Sequence, residues 1–238
     1  MAKTDDILAR VRRALAEAAD PHTLASGPRY FKEPIKLHGA KTVRVSALAK
    51  ETFKEIKNRD KAALFALCED LWSSGYLEES FIACGWAHAL RGRYQPADLD
   101  IFERWLEKYV SNWASCDTLC NHAVGAHIQA YPSGLARLKS WARSPNRWLR
   151  RAASVSLILP ARSGLFLKDI LDIASLLLGD GDDLVRKGYG WLLKATSQAH
   201  QDEVFAFVMA NKARMPRVAL RYAIEKMPPD LRARAMEK

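Results

Sequence analysis

Three stretches of the chain repeat one pattern: 147–155 (RWLRRAASV), 183–191 (DLVRKGYGW) and 216–224 (PRVALRYAI), the second 36 residues after the first and the third a further 33 on. Each begins with a polar or turn residue, runs through apolar and basic positions, and ends in small or aromatic ones. A period of this size marks stacked supersecondary units, none of which buries its apolar face alone. Apolar residues recur at three- and four-residue spacing over 3–19, 41–57, 60–73, 77–90, 96–110, 113–130, 133–143, 146–159, 166–178, 182–197, 200–211 and 214–226. Helix stop and start signals separate them, among them Ser73-Ser74-Gly75, Ser144-Pro145-Asn146 and Gly179-Asp180-Gly181-Asp182. No segment alternates with period two. The expected fold is all-α, a HEAT-like α-solenoid (α-α superhelix) of about six helical pairs with a concave basic face, built as a single domain over 1–238.

Charge is distributed unevenly along this array. The 51 residues 118–168 hold eight Lys or Arg and no Asp or Glu, whereas the rest of the chain holds 29 basic and 27 acidic residues. An acid-free tract suggests a polyanionic partner, nucleic acid being the commonest, against the plainer alternative of a solvated basic face. If equivalent helices lie side by side, Arg150, Arg151, Arg186 and Lys187 fall on one face. No apolar run approaches the roughly 20 residues of a membrane span; the longest, around 170–178, is interrupted by Asp172. The charged N-terminal stretch has no signal-peptide pattern, so a cytoplasmic or nucleoid-associated protein is expected.

Asp117 is the last acid before the basic tract, and Trp113 precedes it by four residues, one turn away on the same helix face. Ser111 and Asn112 are both competent N-caps for that helix. A buried tryptophan beside a salt-bridged aspartate explains the pair structurally. A carboxylate facing a polyanion opposes binding, however, unless positive charge develops there during a reaction. Cleavage of an N-glycosidic bond passes through an oxocarbenium-like state that a fixed carboxylate and aromatic faces stabilise. Spacing alone does not select that reaction.

The blocks N-W-A-S-C-D at 112–117, S-P-N-R-W-L-R-R-A-A at 144–153 and R-K-G-Y-G-W at 186–191, with the weaker Y-F-K-E-P-I-K-L-H-G at 30–39, carry a resemblance. In order and separation they resemble the DNA alkylation repair enzyme family, the AlkD-like HEAT-repeat DNA glycosylases, over nearly the whole chain. The resemblance implies excision of alkylated purines such as 3-methyladenine and 7-methylguanine from duplex DNA, with the lesion left stacked rather than flipped and with no cofactor. It implies Asp117 as catalytic carboxylate, Trp113 and Trp191 as aromatic walls at the damaged nucleotide, and Tyr30 as a tyrosine approaching the lesion. Arg151 would hold the DNA backbone, with Arg147, Arg150 and Lys187 alongside. The catalytic block departs from the best-known members, which carry two adjacent tryptophans and W-D-T-V-D: Asn112 replaces the first tryptophan and Ala114-Ser115-Cys116 fills the interval. Catalytic spacing is kept, as in a divergent subfamily.

The remaining residues have plainer expectations. Cys116 and Cys120 lie four apart with His122 and His127 nearby, yet no CxxC or second ligand pair accompanies them, so the four cysteines are expected as buried thiols and no metal is expected. Trp141 and Trp148 are expected in the core, both histidines in structural roles, and Glu78, Glu79 and the acids at 180–183 as solvated helix-start charges. A monomer is expected. Two non-catalytic alternatives stand beside the glycosylase: a HEAT-like module binding damaged or branched DNA, and a scaffold for an acidic protein.

Overall fold

The computed structural model describes residues 2–237, most of them helical; its extended pairings are two isolated bridges, Ala19 with Ala40 and Lys36 with Tyr76. The chain divides into two compact units, Met1–Ala123 and Val124–Lys238. Unit 1 contains α1 (Ala2–Glu17), α2 (Pro21–Ser26), α3 (Thr42–Ile56), α4 (Lys61–Ser73), α5 (Leu77–Ala89), α6 (Asp98–Lys108) and α7 (Trp113–Leu119), with a 3-10 turn at Gly27–Tyr30. A π-helical turn, Cys120–Val124, follows α7 directly. Unit 2 contains α8 (Gly125–Ala130), α9 (Leu135–Trp141), α10 (Arg147–Val155), α11 (Ile158–Arg162), α12 (Leu167–Leu177), α13 (Asp183–Thr196), α14 (Gln201–Asn211), α15 (Arg217–Ile224) and α16 (Pro229–Met236).

The repeat extends through both units. Lys41, Tyr76, Asn112, Asn146, Asp182 and Pro216 are the N-caps of α3, α5, α7, α10, α13 and α15, at successive intervals of 35, 36, 34, 36 and 34 residues. Within unit 1, α3 packs on α5 and α5 on α7; within unit 2, α10 packs on α13 and α13 on α15. In each unit three helices of one kind, each followed by one or two partner helices, make an all-α helical repeat. Three caps use side chains: Asn112 accepts from Ser115 N at 2.9 Å, Asn146 from Trp148 N at 2.8 Å and Asp182 from Leu184 N at 2.8 Å. Each such bond satisfies a helix-end N–H and is worth about 1 kcal/mol.

Two expectations need correction. Pro216 aligns by residue type with Arg147 and Asp183, but it occupies the cap position (φ −56°, ψ 140°), so its copy starts at Arg217 and follows the second by 34 residues, not 33. The helix expected over 146–159 breaks after Val155, and α11 starts at Ile158. Pro160 explains the break: it has no N–H for the Ser156 carbonyl, but sits without cost in the first turn of a new helix.

Packing in unit 1 is centred on tryptophans. The buried Trp86 indole on α5 donates to Ala49 O at 3.1 Å and Thr52 Oγ1 at 3.2 Å, both on α3. Phe65 and Trp72 on α4 meet Trp105 on α6 at ring separations of 5.8 and 6.2 Å. In unit 2, glycine permits close helix approach. A Cβ on Gly190 would lie 2.8 Å from Tyr222 Cβ and 2.9 Å from Ala219 O, and one on Gly188 would lie 2.9 Å from Ser154 Oγ. Trp141 and Trp148 are core residues, as expected, and all four cysteines are buried. Among the described residues, no helix is long and apolar enough to cross a membrane.

Candidate functional site

In unit 1, Trp113 and Asp117 are the first and fifth residues of α7, and both are half-buried. Of the two possible caps, Asn112 is the one used. It is buried and donates from Nδ2 to Ser115 Oγ at 3.2 Å; the Ser115 hydroxyl in turn lies 2.8 Å from that of Ser80 on α5. The start of α7 is thereby pinned to α5. Asn121, in the π-helical turn beyond Asp117, donates to the Asp117 carbonyl at 3.1 Å. Such turns widen a helix locally and are frequent at functional sites.

The Trp113 indole is held from the 27–40 segment. Its Nε1 donates to Tyr30 O at 3.2 Å, and its ring stacks on Phe31 at 5.4 Å between centroids and 19° between planes. With the indole so fixed, Tyr30 projects its own ring into solvent, 73% exposed. The far end of the segment is tied down by Glu78, whose carboxylate accepts from His38 N at 2.9 Å, Gly39 N at 2.7 Å and Ala40 N at 3.2 Å. Gly39 adopts φ +89°, a conformation that suits glycine. Glu79 meets His38 Nε2 at 3.0 Å and Arg12 Nε at 3.1 Å. Burial opposes its charge, but His38 and Arg12 hold its carboxyl below the usual range. The expectation of solvated charges fails for this pair: both are buried, with partners supplied by the 27–40 strap and, for Glu79, also by Arg12 of α1.

The other sequence-predicted residues belong to unit 2. Arg151, the fifth residue of α10, is buried, donates to the Leu184 carbonyl, and has Gly188 beside it. Arg150 is bound within the protein: Nε meets Asp180 Oδ2 at 2.6 Å, and Nη1 donates to the carbonyls of Ser144 and Pro145 at 2.9 and 3.0 Å. Arg186 donates to Asp180 O at 2.5 Å, so the fourth-position cations of α10 and α13 staple their two entry turns together. Asp180 is thus another acid expected in solvent that is instead enclosed, its side chain 6% exposed. Arg147 lies over the Trp148 ring at 4.5 Å and approaches Asp182 at 3.5 Å. Lys187 pairs with Asp183 at 2.7 Å, and Trp191 is half-buried as the ninth residue of α13.

The two groups of residues differ in electrostatic setting. Unit 1 holds 18 Lys or Arg against 17 Asp or Glu, and unit 2 holds 19 against 10. The acid and its tryptophan therefore lie in the near-neutral unit, and the excess positive charge lies in the other. One histidine pair in unit 1 adds little to its charge. The rings of His88 and His122 lie 5.4 Å apart, and burial lowers the pKa of both, which favours neutral imidazoles. Phe31, which fixes the indole, was absent from the sequence-based site because nothing in helical periodicity reports a contact with a distant strap.

The sequence model of the DNA alkylation repair enzyme family matches residues 11–227. No curated protein matches the chain. Among solved structures, a predicted DNA alkylation repair enzyme from Enterococcus faecalis superposes with a TM-score of 0.79 at 17% identity, covering 89% of this chain and 97% of its own. AlkD2 from Streptococcus mutans gives 0.62 at 18% identity, over 78% of this chain and 90% of its own. The Pseudomonas fluorescens alkylpurine DNA glycosylase AlkC, bound to DNA containing an abasic site analog, gives 0.52 at 15% identity, over 93% of this chain and 62% of its own. At these identities the likeness establishes a shared fold.

Proposed function

The chain belongs to the DNA alkylation repair enzyme family, a family of DNA repair, and from that premise we propose that it is a monofunctional DNA glycosylase. Its substrates are duplex DNA carrying cationic alkylpurines, of the 3-methyladenine and 7-methylguanine class. The observation that carries this reading is the placement of Asp117 one helical turn from Trp113, whose indole is fixed by Phe31 and the Tyr30 carbonyl.

The chemistry follows from charge. A cationic alkylpurine leaves with the electron pair of the C1′–N bond as a neutral base, so it needs no prior protonation. Positive charge is then left on the deoxyribose, where the Asp117 carboxylate stabilises it, orients the water that forms the new C1′–O bond and takes the proton that water loses. The Trp113 face contributes through its quadrupole. Trp191 is assigned the second aromatic contact, and Tyr30 an approach to the lesion. Arg147, Arg151 and Lys187 are assigned to the DNA backbone, while Arg150 acts through the turns it staples. The fold of AlkC, a glycosylase bound to DNA, supports a DNA partner for this chain. Nothing in this scheme calls on a metal or an organic cofactor, and the lesion need not leave the stack.

The test is incubation with methylated duplex DNA and mass spectrometry of the released bases. Asp117→Asn is expected to abolish base release while retaining or tightening duplex binding, since a charge repelled by phosphate is removed. Full excision activity in that variant rules the assignment out.

A further inference from the structure

The six caps give every repeat helix a common numbering, and one position in it separates acid from cation. Counting from the cap, the fifth residue is Ser46 in α3, Phe81 in α5, Asp117 in α7, Arg151 in α10, Lys187 in α13 and Arg221 in α15. Aligned by residue type, the third copy starts one residue early, which places Leu220 opposite Arg151 and Lys187 and hides Arg221. The cap at Pro216 restores it to their register.

We propose that the fifth position is the register through which these repeats meet nucleic acid, and that Arg221 is a further contact to the DNA backbone. The proposal rests on the glycosylase reading for its DNA partner and adds a residue which that reading does not include. Within unit 2 the register is physical. Gly188, sixth on α13, lies against Arg151 and Ser154, fifth and eighth on α10; Gly190, eighth on α13, lies against Ala219 and Tyr222, third and sixth on α15. The levels of α10 and α13 therefore match, α15 is displaced from them by less than a turn, and the fifth residues of the three helices follow one another in an oblique row.

Fourth-position cations close onto their entry turns, as Arg150 and Arg186 do on Asp180, and of the fifth-position cations Arg151 is buried on the Leu184 carbonyl and Lys187 is half-buried beside Asp183. Arg221 is exposed on α15, and among the described residues it has no carboxylate partner. Helices packed at about 8–10 Å give a three-cation row of roughly 16–20 Å. At 3.4 Å per base step that row spans about five steps of one strand. A row of that pitch suits a regular phosphate backbone. The same register explains the acid at the edge of the basic tract: Asp117 occupies in α7 the place that cations take in the next three repeat helices.

The experiment is duplex binding by the full chain over a range of salt, with base release from methylated duplex measured on the same preparations. Arg221→Ala is expected to weaken binding severalfold and to reduce the slope of log affinity against log salt by about 0.9, the loss of one phosphate contact. Arg221→Lys is expected to restore the slope. Lys226→Ala, an equal loss of charge at an exposed position outside the register, is expected to leave it unchanged. An unaltered slope in Arg221→Ala, an equal change in Lys226→Ala, or no duplex binding by the parent chain overturns the proposal. Base release by the parent with an unaltered Arg221→Ala slope overturns the register alone. The expected slope changes without base release support the register while the catalytic reading falls.

Discussion

Asn112 stands where the family resemblance implies a tryptophan, and its amide makes bonds that an indole cannot. The carbonyl oxygen caps α7 and the amide nitrogen reaches Ser115, whose hydroxyl meets Ser80 on α5. Trp113 takes its stacking face from Phe31. Phe31→Ala is expected to lower the single-turnover rate of base release about three- to tenfold, the worth of one aromatic pair, with the duplex dissociation constant unchanged. Phe31→Tyr keeps the face and is expected to restore the rate. A rate unaffected by Phe31→Ala, or a matching loss of affinity, argues against this support. Trp113 and Asp117 were legible as a pair because four-residue spacing has a fixed meaning on a helix. Phe31 was not, and neither was the burial of Glu78 and Glu79, because Phe31 and most partners of that pair lie on a strap whose path no periodicity encodes, and Arg12 reaches Glu79 from the distant α1.

Elements followed local chemistry where local chemistry decided them. The starts of α7, α10 and α13 were readable from Asn112, Asn146 and Asp182, residues whose side chains bond the first free N–H groups. The break at Ser156 was missed because apolar spacing runs on through it, and α2 because six residues hold less than two turns of pattern. Helix contact adds a constraint that composition does not show. A methyl group on Gly190 meets the backbone of α15 at 2.9 Å, which cannot yield without moving the helix, whereas one on Gly188 crowds the Ser154 hydroxyl and meets Arg151 at ordinary contact distance. Gly190→Ala is therefore expected to destabilise the protein by about 1–3 kcal/mol despite its better helix propensity. That corresponds to a melting temperature lower by roughly 2–10 °C for a chain of this size. Gly188→Ala is expected to cost less, since rotation of one hydroxyl relieves it. Thermal melts followed by circular dichroism check both, and equal melting temperatures for the two variants contradict the packing account.

For the whole molecule, net charge suits a polyanionic partner, but the fate of individual cations decides how many are left to meet one. Unit 2 has nine more basic than acidic residues, yet Arg150 and Arg186 are consumed by turns and Lys139 by Asp169 and Asp172 at 2.8 and 2.7 Å. Counting charges in the sequence overstates the binding surface, because internal staples and phosphate contacts draw on the same residue types. If Arg147, Arg151, Lys187 and Arg221 each neutralise one phosphate, raising salt from about 50 to 200 mM weakens duplex binding on the order of a hundredfold. In the proposed mechanism Asp117 and Trp113, by contrast, act at the sugar, so their contribution to the chemical step does not depend on displaced counterions. Steady-state base release is therefore expected to show KM rising steeply with salt while the single-turnover rate at saturating duplex stays within about twofold. A single-turnover rate that falls with salt at saturation places cations in the chemical step and contradicts this division of labour.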